Sequence, residues 1–94
     1  MDDVLQTLGF VRKAGKIILG EEVLKQASKI KLMFIASDIS EKSRERLEKK
    51  CFYYQIKHVD SYTGKQLSDA IGRNNVKVLG IADRNFADML NKKL

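Results

Sequence analysis

Apolar residues in the first fifteen positions follow the spacing of an amphipathic helix. Val4, Leu5, Leu8 and Val11 recur every three or four positions, which places them on one helical face. Acidic residues precede this pattern and basic residues end it, and that order of charges stabilises a helix dipole. Gly15 can take the left-handed conformation that ends many helices. The pattern therefore predicts an opening helix that buries one face.

Short apolar runs and amphipathic stretches alternate along the rest of the chain. The apolar runs predict strands over residues 16–19, 32–37, 55–59 and 76–82. The amphipathic stretches predict helices over residues 21–29, after a Ser40 cap, from a Thr63–Gln66 capping box to Gly72, and after a cap at Asp83 or Asn85. We expect the inward-facing residues of these helices to be Val23, Leu24, Ala27, Leu47, Cys51, Tyr54, Leu67, Ala70, Ile71, Phe86, Leu90 and Leu94.

Helices that alternate with strands are typical of an α/β sandwich, in which helices cover both faces of a small sheet. Residues 32–36 and 76–82 are the most apolar runs, so we expect them to form the central strands. The 94 residues contain no linker, repeat or proline. Residues 1–94 are therefore predicted to form a single domain.

Composition excludes several classes of protein. The longest apolar run covers residues 32–36, which is far too short to span a bilayer. The N-terminus lacks the basic and apolar regions of a secretory signal. A single cysteine excludes an intramolecular disulfide and is typical of a reducing compartment, and with one histidine it cannot build a usual zinc site. We expect a cytoplasmic protein with no membrane partner, no metal and no cofactor.

Positive charge is concentrated in one part of the chain. The net charge is +6, and residues 12–31 contribute +4 of it through six cations and two anions. Such a balance favours a polyanionic partner, although a solvated basic face is the ordinary alternative.

Residues 12–25 combine basic side chains with two glycines. A basic helix end leads through Gly15 into a strand, and the strand leads through Gly20 into another helix. Free N–H groups at a helix start can bind an anion, and nearby cations add phosphate contacts. Candidate phosphate-binding residues are Arg12, Lys13, Lys16, Lys25 and Lys29. Gly20, Glu21 and Glu22 are the candidate base-reading residues, because carboxylates can accept hydrogen bonds from base donors.

Ordinary explanations exist for the same residues. Glu21 and Lys25 have the spacing of a surface ion pair, whereas Glu22 has only Gln26 as its i+4 neighbour. Acidic residues at a helix start also stabilise the dipole without any further function. The two glycines have the spacing of a phosphate-binding P-loop, but the lysine and hydroxyl residue that such a loop requires are absent.

Two catalytic alternatives receive little support. Asp38, Asp60 and Asp83 each follow a predicted strand and would hold Mg²⁺ if the strands were parallel, but turn and cap roles explain them equally well. His58 and Cys51 do not indicate a nucleophilic pair, because Cys51 falls on the apolar face of its helix.

The segment Phe52-Tyr53-Tyr54 is a candidate platform for base stacking. Because it ends an amphipathic helix, at least one of these aromatics must be core. We expect Tyr54 in the core and Tyr53 partly exposed.

Four sequence blocks together resemble a known family. They are residues 13–16 (KAGK), 20–25 (GEEVLK), 35–40 (IASDIS) and 67–72 (LSDAIG), and their order and spacing run nearly end to end. The chain resembles the kink-turn-binding ribosomal proteins of the large subunit, the L-seven-Ae and L-thirty-e group. It is most similar to the small bacterial members encoded beside translation genes.

This resemblance implies a three-layer α/β/α sandwich with a mixed four-stranded sheet, the L-thirty-e-like fold. In the family, an Asn-Glu pair contacts the guanines of tandem sheared G·A pairs, and a lysine one turn later supports the RNA. Glu22 and Lys25 match that glutamate and lysine, whereas Glu21 stands in place of the asparagine. After Gly72 the family has an apolar loop that caps an extruded base, and this chain has the polar second loop Arg73-Asn74-Asn75.

We interpret the sequence as a non-enzymatic protein that binds ribosomal RNA or another structured, kink-turn-like RNA. Ribosomal proteins are further candidate partners, and no small-molecule substrate is expected. The alternative is a protein-interaction or ribosome-assembly adaptor whose basic face meets an acidic partner. A small Mg²⁺-dependent phosphoryl-transfer enzyme is the third interpretation.

Overall fold

The computed structural model describes residues 2–94, which form four strands and five helices. The strands are β1 (Ile17–Leu19), β2 (Leu32–Ile35), β3 (Lys57–Val59) and β4 (Val78–Ile81). The helices are α1 (Asp3–Lys13), α2 (Glu21–Lys25), α3 (Glu41–Tyr54), α4 (Gly64–Ile71) and α5 (Arg84–Lys93), with a 3₁₀ turn over Ala27–Lys29. No helix in this part of the chain is long and apolar enough to cross a membrane.

The strands form one mixed sheet in the order β1-β4-β2-β3. β4 runs antiparallel to both β1 and β2, whereas β3 runs parallel to β2. The two central strands are therefore β2 and β4, as their apolar sequences predicted, and both are buried along their whole length. Because β4 alone is reversed, β1, β2 and β3 end where β4 begins. We call this edge the carboxyl end of the sheet and the opposite edge the amino end.

Helices pack on both faces of the sheet. One face is covered by α1, α4 and α5, and its core includes Leu8, Phe34, Leu67, Leu79 and Leu90. The other face is covered by α2, the 3₁₀ turn and α3, and its core includes Val23, Ala27, Met33, Leu47 and Cys51. The fold is thus the predicted three-layer α/β/α sandwich with a mixed four-stranded sheet.

Side-chain caps fix the starts of α3, α4 and α5. Ser40 accepts a hydrogen bond from the backbone of Ser43 at 3.3 Å, as predicted for the start of α3. Thr63 and Gln66 form the predicted reciprocal capping box at α4. Asp83, rather than Asn85, caps α5 by accepting from the backbone N–H of Phe86 at 3.0 Å.

The structure corrects three details of the predicted elements. The expected helix over residues 21–29 is only a five-residue helix followed by the 3₁₀ turn. Tyr54 and Leu94 were predicted to face inward, but they are 39% and 45% exposed. Tyr54 is the last residue of α3 and Leu94 follows the last turn of α5, so neither has a neighbouring layer to cover it.

Candidate nucleic-acid interface

The connection between β1 and α2 presents two carboxylates at the carboxyl end of the sheet. Gly20 has φ 59° and ψ −136°, a backbone conformation that favours glycine, and this turn directs the chain from the edge strand into α2. Val23 is fully buried and anchors the short helix against the sheet. Glu21 and Glu22, the first two residues of α2, are consequently left exposed. A five-residue helix has only a small dipole, so side chains dominate the chemistry here.

Glu22 is the carboxylate with local partners. Its Oε1 lies 3.8 Å from the Lys25 Nζ, and its Oε2 accepts a hydrogen bond from the Gln26 amide at 3.0 Å. The ordinary alternative in which Lys25 pairs with Glu21 is therefore not what the structure shows. Within residues 2–94, Glu21 forms no ion pair or side-chain hydrogen bond, and it borders a pocket of 230 Å³. Glu22, for which the sequence offered only Gln26 as an i+4 neighbour, is therefore the glutamate whose carboxylate is held in place by neighbouring side chains.

The second loop lies at the same end of the sheet. Arg73, Asn74 and Asn75 are exposed in the connection from α4 to β4, and β4 begins at the carboxyl end. The buried Ser68 hydroxyl holds this loop to α4, because it donates to the Gly64 carbonyl at 2.6 Å and accepts from the Val76 N–H at 2.9 Å.

Lys77 lies between the two loops and was not identified from the sequence. Lys77 lines the pocket that Gly20 and Glu21 also line, and it lines a second pocket together with Asn74 and Asn75. Lys77 therefore lies beside Gly20 and Glu21 in one pocket and beside Asn74 and Asn75 in the other. The sequence signal was weak, because a single lysine in an apolar strand is typical of a surface position.

Asp38 adds a fixed negative charge beside Lys77. Its carboxylate accepts a hydrogen bond from the Gly64 N–H at 2.9 Å. This bond, a further backbone hydrogen bond from Asp38 itself and the charge of Lys77 lower the pKa of the Asp38 carboxyl below its usual value. Asp38 thus positions the start of α4 and remains ionised at neutral pH.

The three strand-terminal aspartates do not form a metal site. Asp60 binds Arg44 Nη1 at 3.1 Å, and Asp83 lies at the amino end because β4 runs in the opposite direction. Within residues 2–94, no three His, Cys, Asp or Glu side chains come together as a metal-ligand cluster.

The candidate phosphate-binding residues fall into separate groups. Arg12, Lys13 and Lys16 are exposed at the end of α1 and the start of β1, and Lys29 lies in the 3₁₀ turn before β2. All four are at the amino end. Four strand positions separate Lys16 from Gly20, which corresponds to about 13 Å. The predicted surface is therefore elongated along the edge strand β1 rather than gathered at one point.

Cys51 and His58 do not form a nucleophilic pair. Cys51 is buried, and its Sγ lies 3.5 Å from the Met33 Sδ. Burial, together with the negative charge of Glu48, raises the pKa of the thiol to about 11. His58 instead faces Glu48, with 3.8 Å between its Nε2 and Oε2 of the carboxylate. The structure confirms Cys51 as a core thiol.

A protein-family model matches the sequence over almost the whole chain. The model of the ribosomal protein L7Ae/L30e/S12e/Gadd45 family covers residues 2–91. The chain belongs to this family. The match confirms the resemblance carried by the four sequence blocks, and it spans both loops at the carboxyl end.

Two relatives carry the name RNA-binding protein YlxQ. The protein from Enterococcus faecium is 31% identical over 86 residues, which are 88% of this chain and 82% of the relative. The protein from Bacillus subtilis strain 168 is 28% identical over 86 residues, which are 88% of this chain and 86% of the relative.

Two solved structures share the fold. A protein of unknown function from Bacillus halodurans C superimposes with a TM-score of 0.92 and 28% identity, over 98% of this chain and 96% of that protein. The 15.5 kD RNA binding protein of Giardia lamblia superimposes with a TM-score of 0.76 and 20% identity, over 96% of this chain and 83% of that protein. At this identity, the second likeness concerns the fold alone.

Proposed function

We propose that this protein binds structured RNA at the carboxyl end of its sheet and catalyses no reaction on it. One observation carries the proposal: Lys77 borders both the pocket lined by Gly20 and Glu21 and the pocket lined by Asn74 and Asn75, although about fifty residues separate these two loops in the chain. Cations and hydrogen-bonding groups on converging loops suit a folded RNA, which is recognised through its shape and through accessible base edges. The names of the two YlxQ relatives support the same function.

In this proposal, the cations position the RNA and the carboxylates read it. Lys77 and Lys25 contact phosphates near the loops, while Arg12, Lys13 and Lys16 contact phosphates farther along β1, and Lys29 adds charge at the amino end. Glu22 accepts hydrogen bonds from guanine donors, because its Gln26 bond leaves other lone pairs of the carboxylate free. Arg73, Asn74 and Asn75 form the opposite wall. Ribosomal RNA in the cytoplasm is the simplest source of such a ligand.

The geometry gives no support to the catalytic alternatives. Asp83 is separated from Asp38 and Asp60 by the length of the sheet, so the three carboxylates do not share a metal. The Cys51 thiol is held in the core. The chemistry available at the carboxyl end is hydrogen bonding and charge, which suit binding.

A titration at several salt concentrations tests the proposed function. The ligands are a hairpin RNA with a kink-turn, the same RNA with its G·A pairs disrupted, and heparin. We expect both RNAs to bind with steep salt dependence, and the kink-turn RNA to bind more tightly. Heparin that binds as well as RNA at equal charge would contradict the proposal and favour the adaptor that meets an acidic partner.

A further inference from the structure

A basic groove separates α2 from α3 on the face of the sheet opposite α1. Its volume is 630 Å³. Four cations, one aromatic residue and one apolar residue line it: Leu24, Lys25, Arg46, Lys49, Lys50 and Tyr53. None of these lining residues is a carboxylate, so the four cations make the lining positively charged. Glu22 offsets part of the charge of Lys25, and Glu45 and Glu48 line the neighbouring pocket that shares Lys49 and Tyr53.

The aromatic residue of this α2–α3 groove contacts one neighbouring ring and is open to solvent. Tyr53 is 75% exposed. Its ring meets that of Tyr54 edge to face, with 4.7 Å between the ring centroids and an angle of 89°. The Lys50 Nζ lies 6.0 Å from the centroid of the Tyr54 ring. The edge contact with Tyr54 restricts the Tyr53 ring while its exposed surface remains available for stacking, which lowers the entropic cost of binding a base.

The groove is continuous with the proposed RNA site. Leu24 and Arg46 line both the groove and the pocket beside Gly20 and Glu21. From Arg46 to Tyr53 the helix rises by about 10 Å. A stacked strand covers that distance with roughly three nucleotides at about 3.4 Å each.

We propose that the α2–α3 groove binds a single-stranded extension of the RNA that is held at the carboxyl end. Arg46, Lys49 and Lys50 follow the phosphates of the extension, and a base stacks on Tyr53. Cations beside an exposed ring suit single-stranded nucleic acid, because every base has a face that can stack and every nucleotide carries a charge. This inference rests on the proposed function, since the structured part of the RNA delivers the extension to the groove.

The test compares the kink-turn hairpin with the same hairpin carrying six adenosines at its 5′ or 3′ end. We expect one of the two tails to tighten binding to the wild type roughly tenfold. Tyr53→Ala should remove most of that gain, whereas Tyr53→Phe should retain it because the ring is kept. Phe10→Ala is the matched control, since Phe10 is also 73% exposed but lies on α1.

A second pair of variants separates charge from stacking. Lys49→Ala should reduce the gain from the tail and lower its salt dependence, whereas Lys57→Ala, at the edge strand β3, should change neither. Competition with oligoadenylate should remove the gain, and polyglutamate of equal charge should remove much less of it.

Four outcomes would overturn this inference. If the hairpin binds but neither tail adds affinity, the groove proposal fails while the proposed function stands. If the tail adds affinity that Tyr53→Ala leaves intact, or if polyglutamate competes as well as oligoadenylate, the groove does not recognise bases. If the wild type binds neither hairpin, the proposed function fails and the groove proposal fails with it.

Discussion

Glu22 is held in a defined orientation by two neighbours on the same side of α2. We predict that Glu22→Ala lowers the discrimination between a kink-turn RNA and its G·A-disrupted form by roughly 1–3 kcal/mol, the size of a good base-edge contact. Affinity for other RNAs should hold or rise slightly, because a negative charge leaves a phosphate-binding surface. Titration of both RNAs at fixed salt measures the difference, and Glu45→Ala on α3 is the control.

Glu21 gives a complementary prediction in the opposite direction. An asparagine can both donate and accept hydrogen bonds, whereas a carboxylate only accepts. Glu21→Asn restores the Asn-Glu pair of the family, and it should strengthen kink-turn binding in the same titration. If the wild type shows no preference between the two RNAs and Glu21→Asn creates none, then Glu21 and Glu22 do not read guanines in this chain.

Cys51 should be unreactive in the folded protein. Burial raises its pKa from 9.0 to about 11, so the thiol stays protonated between pH 7 and 8. The expected result is slow modification by iodoacetamide in buffer and rapid modification in urea. Because the pKa of the thiol is higher in the folded protein than in the unfolded chain, its contribution to the free energy of unfolding is fully present below pH 9. That contribution is lost as the pH rises from 9 towards 11. Equal rates of modification in buffer and in urea would show that the thiol is accessible.

Single residues were predictable from the sequence where local chemistry decides their role. The caps at Ser40 and Thr63 and the core position of Cys51 follow from neighbours within four positions, and the structure confirms them. Lys77 was missed because its role depends on residues that are distant in the chain. The spacing of Lys25 suggested Glu21 as its ordinary ion-pair partner, but the pair forms with Glu22, because i+3 and i+4 spacings both bring side chains together on a helix.

At the scale of elements, Ser68 joins α4 to the second loop. Ser68→Ala leaves the buried N–H of Val76 without a partner, which should cost about 1–3 kcal/mol of unfolding free energy. Urea denaturation measures this change. Ser28→Ala in the exposed 3₁₀ turn is the control and should stay within about 0.5 kcal/mol of the wild type. A Ser68→Ala variant as stable as that control would show that the hydroxyl does not secure the loop.

The helix predicted over residues 21–29 shows what periodicity cannot determine. Val23 and Ala27 have helical spacing and both are buried, so the pattern gives no sign of a break. The break follows from packing beyond it. Ile30 packs so closely against Gly80 that a Cβ atom at position 80 would lie only 2.6 Å from the Ile30 Cδ1. The N–H of Lys31 also donates to the Ile81 carbonyl at 2.8 Å. The chain must leave the helix to reach both contacts.

At the scale of the whole molecule, the cations divide between the two ends of β1. Binding to largely duplex RNA through roughly four to six phosphates predicts a log–log salt slope of about −3 to −5. Lys16→Ala should weaken binding to every RNA by a similar factor and make the slope shallower by about 0.9. Lys57→Ala is the control, because Lys57 begins the edge strand on the opposite side of the sheet. An effect of Lys16→Ala confined to one RNA sequence would contradict a phosphate contact.

The class of fold was predictable from the alternation of apolar strand runs with amphipathic helical stretches, but the arrangement of the site was not. The reversed direction of β4 brings the second loop to the Gly20–Glu22 turn and moves Asp83 to the other end. Strand direction depends on long-range pairing, which local sequence does not encode. The four-block resemblance supplied the three-layer fold and the loop roles, whereas spacing alone left the Mg²⁺ alternative open.

Ultraviolet crosslinking in cells, followed by sequencing of the attached RNA, tests the central claim most directly. The wild type is compared with a Glu22→Ala, Lys77→Ala double variant and with the Lys57→Ala control. The account predicts that the wild type and the control recover the same structured RNA segments, rich in tandem G·A pairs, and that the double variant loses them. Recovery of no specific RNA by the wild type, or equal recovery by the double variant, would contradict RNA binding at the carboxyl end of the sheet.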